Sequence, residues 1–244
     1  MNIEEMRQHE WTISWSGGKD STATVILCHE YGIPVKDIIY VRMMFDDELP
    51  ATLPVMTDFV DNAVKVFENW GYNVRVVKSI KSAKDIIEST YKRSKYADRI
   101  GKPYGVTSFC RGGCKFTDVK MNTIKSIVNA DYEMLGYAAD ELERLHRLTE
   151  TKCSIMAELG IEEKETFDIC RKYGLLSPLY DLGIKRDGCW FCPNAGKIER
   201  QYIKEHYPQL VKKIYDMIEM CDYDIDFLCK RNNWVAQYLK DIKG

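Results

Sequence analysis

The order of apolar runs in the first 80 residues constrains the fold more than any other feature. "WTISW" is a short β-rich run, and "TATVILCHEYG" has helical spacing that ends at Gly32. A buried strand "DIIYVRMMF", a helix from Pro54 to about Gly71 and a third strand "YNVRVV" follow. This order predicts an α/β fold with three layers (α/β/α), in which helices cover both faces of a mainly parallel sheet. Ligands of such sheets bind beyond the carboxyl ends of the strands.

The remaining sequence is less regular. It predicts a basic helix in "SAKDIIESTYKRSKYADRI", a strand in "DYEMLGY" and a helix in "AADELERLHRL". An amphipathic helix ends at Gly174, and a helical tail starts at about Ile198. There is no internal repeat and no Gly/Ser-rich linker. We therefore expect a single domain over 1–244, with a core over 1–150 and a helical C-terminal part over 151–244.

Charge and cysteine content narrow the class of protein. The formal net charge of −2 argues against a general nucleic-acid coat. The stretch Arg75–Lys102, in contrast, has nine basic and three acidic residues, which indicates either a solvated face or a surface for a polyanion. No apolar run approaches the roughly 18 to 20 residues that cross a bilayer, and no signal peptide is visible, so we expect a cytoplasmic protein without membrane contact. Nine cysteines in such a protein leave metal, cluster or plain burial open.

The segment "SWSGGKDS", residues 14–21, lies between the first strand and the first long helix. Gly17 and Gly18 allow a sharp turn that points several N–H groups into one concavity, and the helix adds its positive N-terminal end. Ser16 and Ser21 supply hydroxyl groups, Lys19 supplies a cation, and Asp20 can cap the helix or hold magnesium. The pattern favours a phosphate site over a turn without a ligand.

This S-G-G-x-D-S pattern differs from Walker A and resembles the PP-loop (N-type) ATP pyrophosphatases. Members of that superfamily bind ATP with Mg²⁺ on a Rossmann-like, adenine nucleotide alpha hydrolase-like sheet, cleave it between the α and β phosphates and adenylate a substrate. The resemblance implies Lys19, Asp20 and Ser21 as catalytic residues. It implies a nucleotide site formed by Ser14, Ser16, Gly17, Gly18, Lys19, Asp20 and Ser21.

Three further stretches resemble the sulfonucleotide (APS/PAPS) reductase-like family. Asp46 follows the second strand, "GYAADELERL" matches a family segment at Gly136, Asp140, Glu141 and Arg144, and "SPLYDLGIKRDGCWFCPN" resembles the family's ending. This likeness adds Arg42, Asp46, Gly136, Glu141 and Arg144 to the implied nucleotide site, and Lys120 aligns approximately with a substrate-binding lysine. Ala138 and Leu142 replace an arginine and a serine of the family. Glu141 and Arg144 also fit an ordinary ion-paired helix face.

The same resemblance implies a four-thiolate set formed by Cys110, Cys114, Cys189 and Cys192. Four thiolates suit a [4Fe–4S] cluster, which we favour, or Zn²⁺. A redox pair at Cys189 and Cys192 and simple burial are the alternatives. Cys28, Cys170, Cys221 and Cys229 have helical spacing among apolar residues and are expected in the core. Cys153 has no assigned role.

These features predict a PAPS reductase-like enzyme that forms or cleaves a linkage at the α-phosphate of ATP or a related adenylyl nucleotide. The reaction is adenylation, possibly coupled to sulfur transfer from a sulfur donor or thiol reductant. One alternative is APS/PAPS reduction, although the C-terminal Glu-Cys-Gly-like tail of such reductases is absent from "CDYDIDFLCKRNNWVAQYLKDIKG". Others are sulfur modification of tRNA or DNA, with nucleic acid on 75–102, and a non-catalytic nucleotide-binding or metal-sensing module. A homodimer is left open.

Overall fold

The central sheet has the predicted parallel arrangement. The structure, a computed structural model, describes residues 1–93, 97–105, 114–186, 188–192 and 194–219. Within them, five strands are ordered β3-β2-β1-β4-β5, and every neighbouring pair is parallel. The strands are β1 (Trp11–Trp15), β2 (Val35–Arg42), β3 (Val74–Lys78), β4 (Glu133–Met134) and β5 (Lys152–Cys153). The predicted three-layer α/β class is confirmed.

Helices connect the strands and follow the last of them. In chain order they are α1 (Ile3–Met6), α2 (Lys19–Glu30), α3 (Pro54–Asn69), α4 (Ala83–Glu88), α5 (Lys115–Ile127), α6 (Leu142–Leu145), α7 (Ile155–Leu159), α8 (Thr166–Lys172), α9 (Pro178–Asp181), α10 (Lys197–His206) and α11 (Pro208–Glu219). Short 3₁₀ turns cover Ala97–Arg99 and Glu163–Glu165. None of the helices in the described ranges is long and apolar enough to span a membrane.

Alternating side chains of β2 divide the core into two layers. Tyr40 faces α2 and α3, where Trp15 lies between it and Phe67, with ring centroids 5.3 and 5.1 Å away. Val41 faces the opposite layer, which includes buried residues of α4 and α5. This alternation follows from the pleat of a strand and explains why β2 is apolar along its buried half.

The sheet places its ligand crevice at the end of β1. The chain runs outward from β1 through β2 to β3, and then returns to add β4 and β5 on the other side of β1. The strand order therefore reverses between β1 and β4, and open parallel sheets bind ligands beside the loops that follow the two strands at such a point. The "SGGKDS" segment occupies the first of these two loops.

Three local predictions are corrected. The helix predicted over "AADELERLHRL" is only α6, because its residues have no buried face and Leu142 is 68% exposed. The basic helix predicted from Ser82 ends at Glu88, where Thr90 and Tyr91 turn into isolated β-bridges with Pro103 and Ile100. The two-residue strand β5 was not predicted, because so short a strand leaves no periodic pattern.

Residues after 150 pack into both layers of the core. Ile155 and Cys170 contact the layer that contains Trp15, whereas Trp190 and Ile203 belong to the layer that contains Val41. The two layers therefore combine residues from before and after position 150. The assignment of 1–244 to one domain, divided at 150, stays a prediction.

Candidate functional site

The loop after β1 turns sharply into α2. Gly17 has φ +81°, a left-handed conformation that residues with a Cβ rarely adopt. Gly18 is the N-cap of α2 and has no side chain that could cap the helix. The two glycines thus bring the N-terminal end of a twelve-residue helix to the carboxyl end of the central strand, where the N–H groups of the first turn lack partners within the helix.

Hydroxyl oxygens occupy the N–H groups of this loop. The Ser16 N–H donates to Ser21 Oγ at 3.1 Å, and the Gly18 N–H donates to Ser16 Oγ at 3.3 Å. The Lys19 N–H donates to the hydroxyl of Tyr180 at 3.4 Å. An anionic phosphate oxygen would be a stronger acceptor for these N–H groups than a hydroxyl oxygen.

The Lys19 side chain is buried in an ion-pair network. It is 6% exposed, and its Nζ lies 2.6 Å from Asp20 Oδ1 and 2.7 Å from Glu163 Oε1. Burial alone lowers the pKa of the Lys19 ammonium, but the hydrogen bonds to Asp20 and Glu163 outweigh it, so the pKa lies above its ordinary value. Lys19 is therefore charged and already neutralised by two carboxylates.

Asp20 joins the loop to the segment that precedes α8. Its Oδ1 accepts a hydrogen bond from Thr166 Oγ1 at 3.2 Å in addition to the pair with Lys19. The Glu163 N–H donates in turn to Asp140 Oδ1 at 3.0 Å, which connects the network to the loop after β4. The structure therefore places Asp20 in an ion-pair network, whereas the sequence offered capping or magnesium binding.

Gly136 lies directly against the start of α2. A Cβ at this position would lie 3.0 Å from Ser21 N, 3.1 Å from Ser21 Cα and 3.2 Å from the carbonyl carbon of Asp20. Such contacts with backbone atoms leave no room for a side chain. The loops after β1 and β4 therefore touch through their backbones at this predicted site residue.

Glu141 and Arg144 pair with each other on the turn after β4. Glu141 Oε2 accepts the Ala138 N–H at 3.1 Å, and its Oε1 lies 2.7 Å from Arg144 Nη1. The Arg144 guanidinium also lies 4.3 Å from the ring centroid of Tyr137. Burial lowers the pKa of Arg144, but the interactions with Glu141 and Tyr137 together outweigh burial, so the pKa lies above its ordinary value.

The other predicted nucleotide ligands on β1 and β2 serve local structure or face solvent. Arg42 forms a salt bridge with Asp61. Asp46 Oδ1 accepts the N–H groups of Leu49 at 2.7 Å and Glu48 at 3.1 Å. Partial burial raises the pKa of the Asp46 carboxyl, but these N–H bonds lower it below its ordinary value. Ser14 is exposed on β1.

A cavity of about 260 Å³ adjoins the S-G-G-x-D-S segment of residues 16–21 (the phosphate-type loop). Ser16 of the loop lines it together with Cys114, Cys189 and Cys192, and Lys120 and Arg186 contribute basic groups. The structure thus places three of the four predicted thiolate ligands around one cavity. Cys110, the fourth, lies outside the described residues.

Trp190 holds the Cys-x-x-Cys segment in place. Its side chain is fully buried, its N–H donates to the Ala51 carbonyl at 2.9 Å, and its Nε1 donates to the Pro50 carbonyl at 3.0 Å. Thr52 and Cys189 form an isolated antiparallel bridge beside these bonds. The loop after β2 therefore fixes the height of Cys189 above the sheet.

The thiols fit a thiophilic metal by their chemistry. The cavity lining contains no carboxylate and no histidine among the described residues, and Arg186 Nη2 lies 3.1 Å from Cys192 Sγ, where it would stabilise a thiolate. Among the residues that the structure describes, no three His, Cys, Asp or Glu residues form a group that could hold a metal ion. The three thiols are donors of a type that suits iron or zinc.

A buried carboxyl lies below this segment. Glu199 is 4% exposed, and its Oε2 accepts the Gly196 N–H at 3.3 Å. Burial raises the pKa of Glu199, although the Gly196 N–H and the charge of Arg186 oppose the shift. A Cβ on Gly188 would lie 3.6 Å from Glu199 Oε1, so the carboxyl supports the backbone just before Cys189.

The remaining cysteines and the basic stretch were also located where described. Cys28 and Cys170 are fully buried, as predicted, and Cys153 is buried on β5. Cys221 and Cys229 lie outside the described residues. Lys92 and Arg93 of the basic stretch are exposed, and Lys95 lies outside the description.

Sequence reasoning missed the side chains that reach the loop from distant segments. Tyr180 and Glu163 contact residue 19 across separations of 161 and 144 positions. Arg186 was also missed, although it lies six positions before Cys192. Tyr180 and Arg186 lie in the stretch "SPLYDLGIKRDGCWFCPN" that resembles the family's ending, but that resemblance assigned no role to either, and Glu163 belongs to no recognisable motif.

Comparison with known proteins does not assign the chain to a family. No family model matches the sequence. An uncharacterized protein of Methanocaldococcus jannaschii is 26% identical over 220 residues, which are 87% of this chain and 48% of that protein. The chain therefore spans about half the length of the curated relative that it matches.

Two solved structures are similar at low TM-score. One is the U34-tRNA thiolase NcsA from Methanococcus maripaludis with its [4Fe-4S] cluster, at 15% identity and TM-score 0.43, covering 91% of this chain and 77% of that one. The other is an NH3-dependent NAD synthetase from Campylobacter jejuni in complex with nitrate, at 12% identity and TM-score 0.40. That match covers 99% of this chain and 88% of the synthetase chain. The fold assignment rests on the sheet topology itself.

Proposed function

We propose that this chain is a PP-loop ATP pyrophosphatase that activates an acceptor by adenylation next to a thiol-lined cavity. The observation that carries the proposal is the position of Ser16. This residue belongs to the S-G-G-x-D-S loop, and it lines the same cavity as Cys114, Cys189 and Cys192. A nucleotide phosphate in the loop would therefore lie beside the thiols.

The proposed reaction is a substitution at the α-phosphorus of ATP. An acceptor oxygen forms a bond to this phosphorus while the bond to the oxygen bridging to the β-phosphorus breaks, and pyrophosphate leaves with the electron pair. The N–H groups of Gly18 and Lys19, together with the Ser16 and Ser21 hydroxyls, would stabilise charge on the phosphates. Mg²⁺ would neutralise the departing pyrophosphate.

The metal site is a second part of the proposal. Cys114, Cys189 and Cys192 would hold a [4Fe–4S] cluster, or Zn²⁺ as the alternative, together with Cys110. With four cysteine ligands neither a cluster nor Zn²⁺ would have an open position, so either would hold the two cysteine-bearing segments of the cavity wall together. Arg186 would donate a hydrogen bond to the Cys192 sulfur in either case. A sulfur donor or thiol reductant is the proposed partner.

The acceptor is proposed to be an anionic or carbonyl-bearing substrate, because Lys120 and Arg186 line the cavity. Nucleic acid is one such acceptor, and exposed Lys92 and Arg93 offer it a basic surface. Salt-sensitive binding of tRNA or DNA that weakens when these two residues are neutralised would identify it. Sulfite formation from APS or PAPS would identify sulfonucleotide reduction instead.

The direct test measures pyrophosphate release from ATP and Mg²⁺ in the presence of candidate acceptors. We expect release with the wild type and a loss of about 10- to 100-fold with Ser21→Ala, because Ser21 Oγ organises the Ser16 N–H and contributes a hydroxyl to the phosphates. Ser89→Ala is the matched control, because its exposed hydroxyl bonds only to its own helix. A wild type that neither binds ATP nor releases pyrophosphate would contradict the proposal.

A further inference from the structure

Tyr180 reaches the phosphate-type loop from a distant part of the chain. Its hydroxyl accepts the Lys19 N–H at 3.4 Å across 161 residues. Lys19 N belongs to the first turn of α2, so this N–H is one of the groups that a bound anion would use. The tyrosine hydroxyl therefore lies beside the proposed phosphate position.

The position of this hydroxyl is set by packing around its short helix. The Tyr180 ring meets Phe167 edge to face, with centroids 5.1 Å apart. Ser177 begins α9, is 2% exposed, accepts the Leu179 N–H at 3.3 Å and donates to Met56 Sδ at 3.0 Å. Packing around α9, rather than the single 3.4 Å bond, therefore holds Tyr180 in position. Its hydroxyl would stay in place when a ligand becomes the acceptor of the Lys19 N–H.

The hydroxyl proton is available to an acceptor. Partial burial raises the pKa of the Tyr180 phenol, and the Lys19 N–H only partly offsets it, so the group is neutral near pH 7. Within the described residues Tyr180 accepts the Lys19 N–H and donates to no protein oxygen. A neutral phenol that accepts one hydrogen bond retains its own proton for donation.

The Lys19 ammonium cannot easily supply this donation. Its Nζ is held between Asp20 and Glu163 at 2.6 and 2.7 Å and is buried, so contact with a phosphate would require two short ion pairs to break. Neutral hydroxyl and N–H groups must therefore donate more of the hydrogen bonds to the phosphate than the S-G-G-x-D-S motif alone suggests.

We infer that Tyr180 is a ligand-binding residue of the loop, whose hydroxyl donates to a phosphate oxygen of the nucleoside triphosphate and then of the pyrophosphate. This inference rests on the proposed function. Together with Ser16 and Ser21, it provides a third hydroxyl donor at the end of β1. Because Tyr180 does not touch the thiol cavity, it acts on phosphate binding and leaves the acceptor side unchanged.

The test is the substitution Tyr180→Phe, measured by isothermal titration with ATP·Mg²⁺, pyrophosphate and adenosine as separate probes. We expect ATP and pyrophosphate to bind about 10- to 100-fold more weakly, since a hydrogen bond to a charged oxygen is lost. Adenosine has no phosphate and should bind with wild-type affinity. A merely structural role for Tyr180 would weaken all three probes.

Tyr173→Phe is the matched control, because it removes a tyrosine hydroxyl that donates to Glu30 on the surface. It should leave all three affinities unchanged. If the wild type binds ATP and Tyr180→Phe binds pyrophosphate equally well, this inference alone is overturned. If the wild type binds neither ATP nor pyrophosphate, the proposed function fails and the inference fails with it.

Discussion

The packing of the loop after β1 depends on two residues, Lys19 and Gly136. Lys19 was predicted from residue type and spacing to offer a free cation to phosphates. The fold instead brings Glu163 to within 2.7 Å of its Nζ, a partner 144 positions away that no local pattern predicts. Gly136 was predicted from a short motif, and the structure adds the reason for its identity: Ser21 backbone atoms fill the space of a side chain.

Gly136→Ala should therefore lower the free energy of unfolding and displace the loop. The added Cβ would lie 3.0 Å from Ser21 N. The backbone shift that such overpacking forces costs about 1 to 3 kcal/mol. We expect a lower denaturation midpoint in urea and weaker ATP binding in the same variant.

Gly196→Ala is the control for this prediction. Gly196 has φ −70°, and a Cβ there would meet no atom within 4 Å. This variant should unfold within about 0.5 kcal/mol of the wild type, as is usual for unstrained surface positions. Equal destabilisation by the two substitutions would show that the contact at Gly136 is unimportant.

Two elements meet at the proposed metal site. Cys114 is the N-cap residue of α5, and Cys189 and Cys192 lie on the segment that Trp190 attaches to the loop after β2. The sequence predicted that these cysteines act together. It could not predict the anchor, because Trp190 by itself is compatible with any buried site and its partners are backbone carbonyl groups.

Metal content should depend equally on Cys114 at the start of α5 and on the segment that contains Cys189 and Cys192. We expect Cys114→Ser and Cys189→Ser each to lose most of the iron, sulfide or zinc per chain, because either change removes a thiolate ligand. The measurement is elemental analysis with acid-labile sulfide on anaerobically purified protein, and the same samples decide between cluster and zinc.

Cys170→Ala serves as the control for the metal measurement, since this thiol is buried and donates to the Lys19 carbonyl at 3.3 Å on the other side of the loop. It should retain wild-type metal content. Unchanged metal in both Cys114→Ser and Cys189→Ser would rule out the proposed thiolate set.

The reliability of sequence reasoning differs between long and short elements. The strands β1 to β3 and the helices α2 and α3 were predicted because apolar periodicity over several residues reports which face is buried. The segment "AADELERLHRL" was overpredicted, because its charges have helical spacing while the residues of α6 bury nothing. Periodicity thus predicted elements that contribute to the core and failed where tertiary bonds set the backbone.

Stability of the whole molecule should fall at alkaline pH through its buried thiols. Burial raises the pKa of Cys170 to about 12 and raises that of Cys28 as well. The unfolded chain releases these protons near about pH 8.5, whereas the folded chain retains them. The unfolded state therefore binds fewer protons, and the free energy of unfolding decreases as pH rises above this value.

The expected slope is about −1.4 kcal/mol per pH unit for each such thiol between the unfolded and folded pKa values. Urea unfolding under reducing conditions at pH 7 and pH 10 measures it. The double variant Cys28→Ala/Cys170→Ala should lose less stability than the wild type between these two pH values. An identical loss in both proteins would refute a role for these two thiols.

The molecule as a whole also explains which parts of the site could be predicted. The phosphate-type loop is continuous in sequence, so residues 16–21 were identified together. The cavity combines segments near 16, 114 and 189, and a single sequence contains no record of their distances. Resemblance to a family supplied the cysteine pairs, whereas Tyr180 and Arg186 required the folded structure.

The attachment of Trp190 to Pro50 has a consequence for synthesis on the ribosome. The two residues are 140 positions apart, which at about 5 to 20 residues per second corresponds to a delay of roughly 7 to 28 s. The β1–α2 turn is local and is available early in translation. The wall that carries Cys189 forms only after residue 190 has emerged, so metal would enter a protein whose β1–α2 turn has already been synthesised.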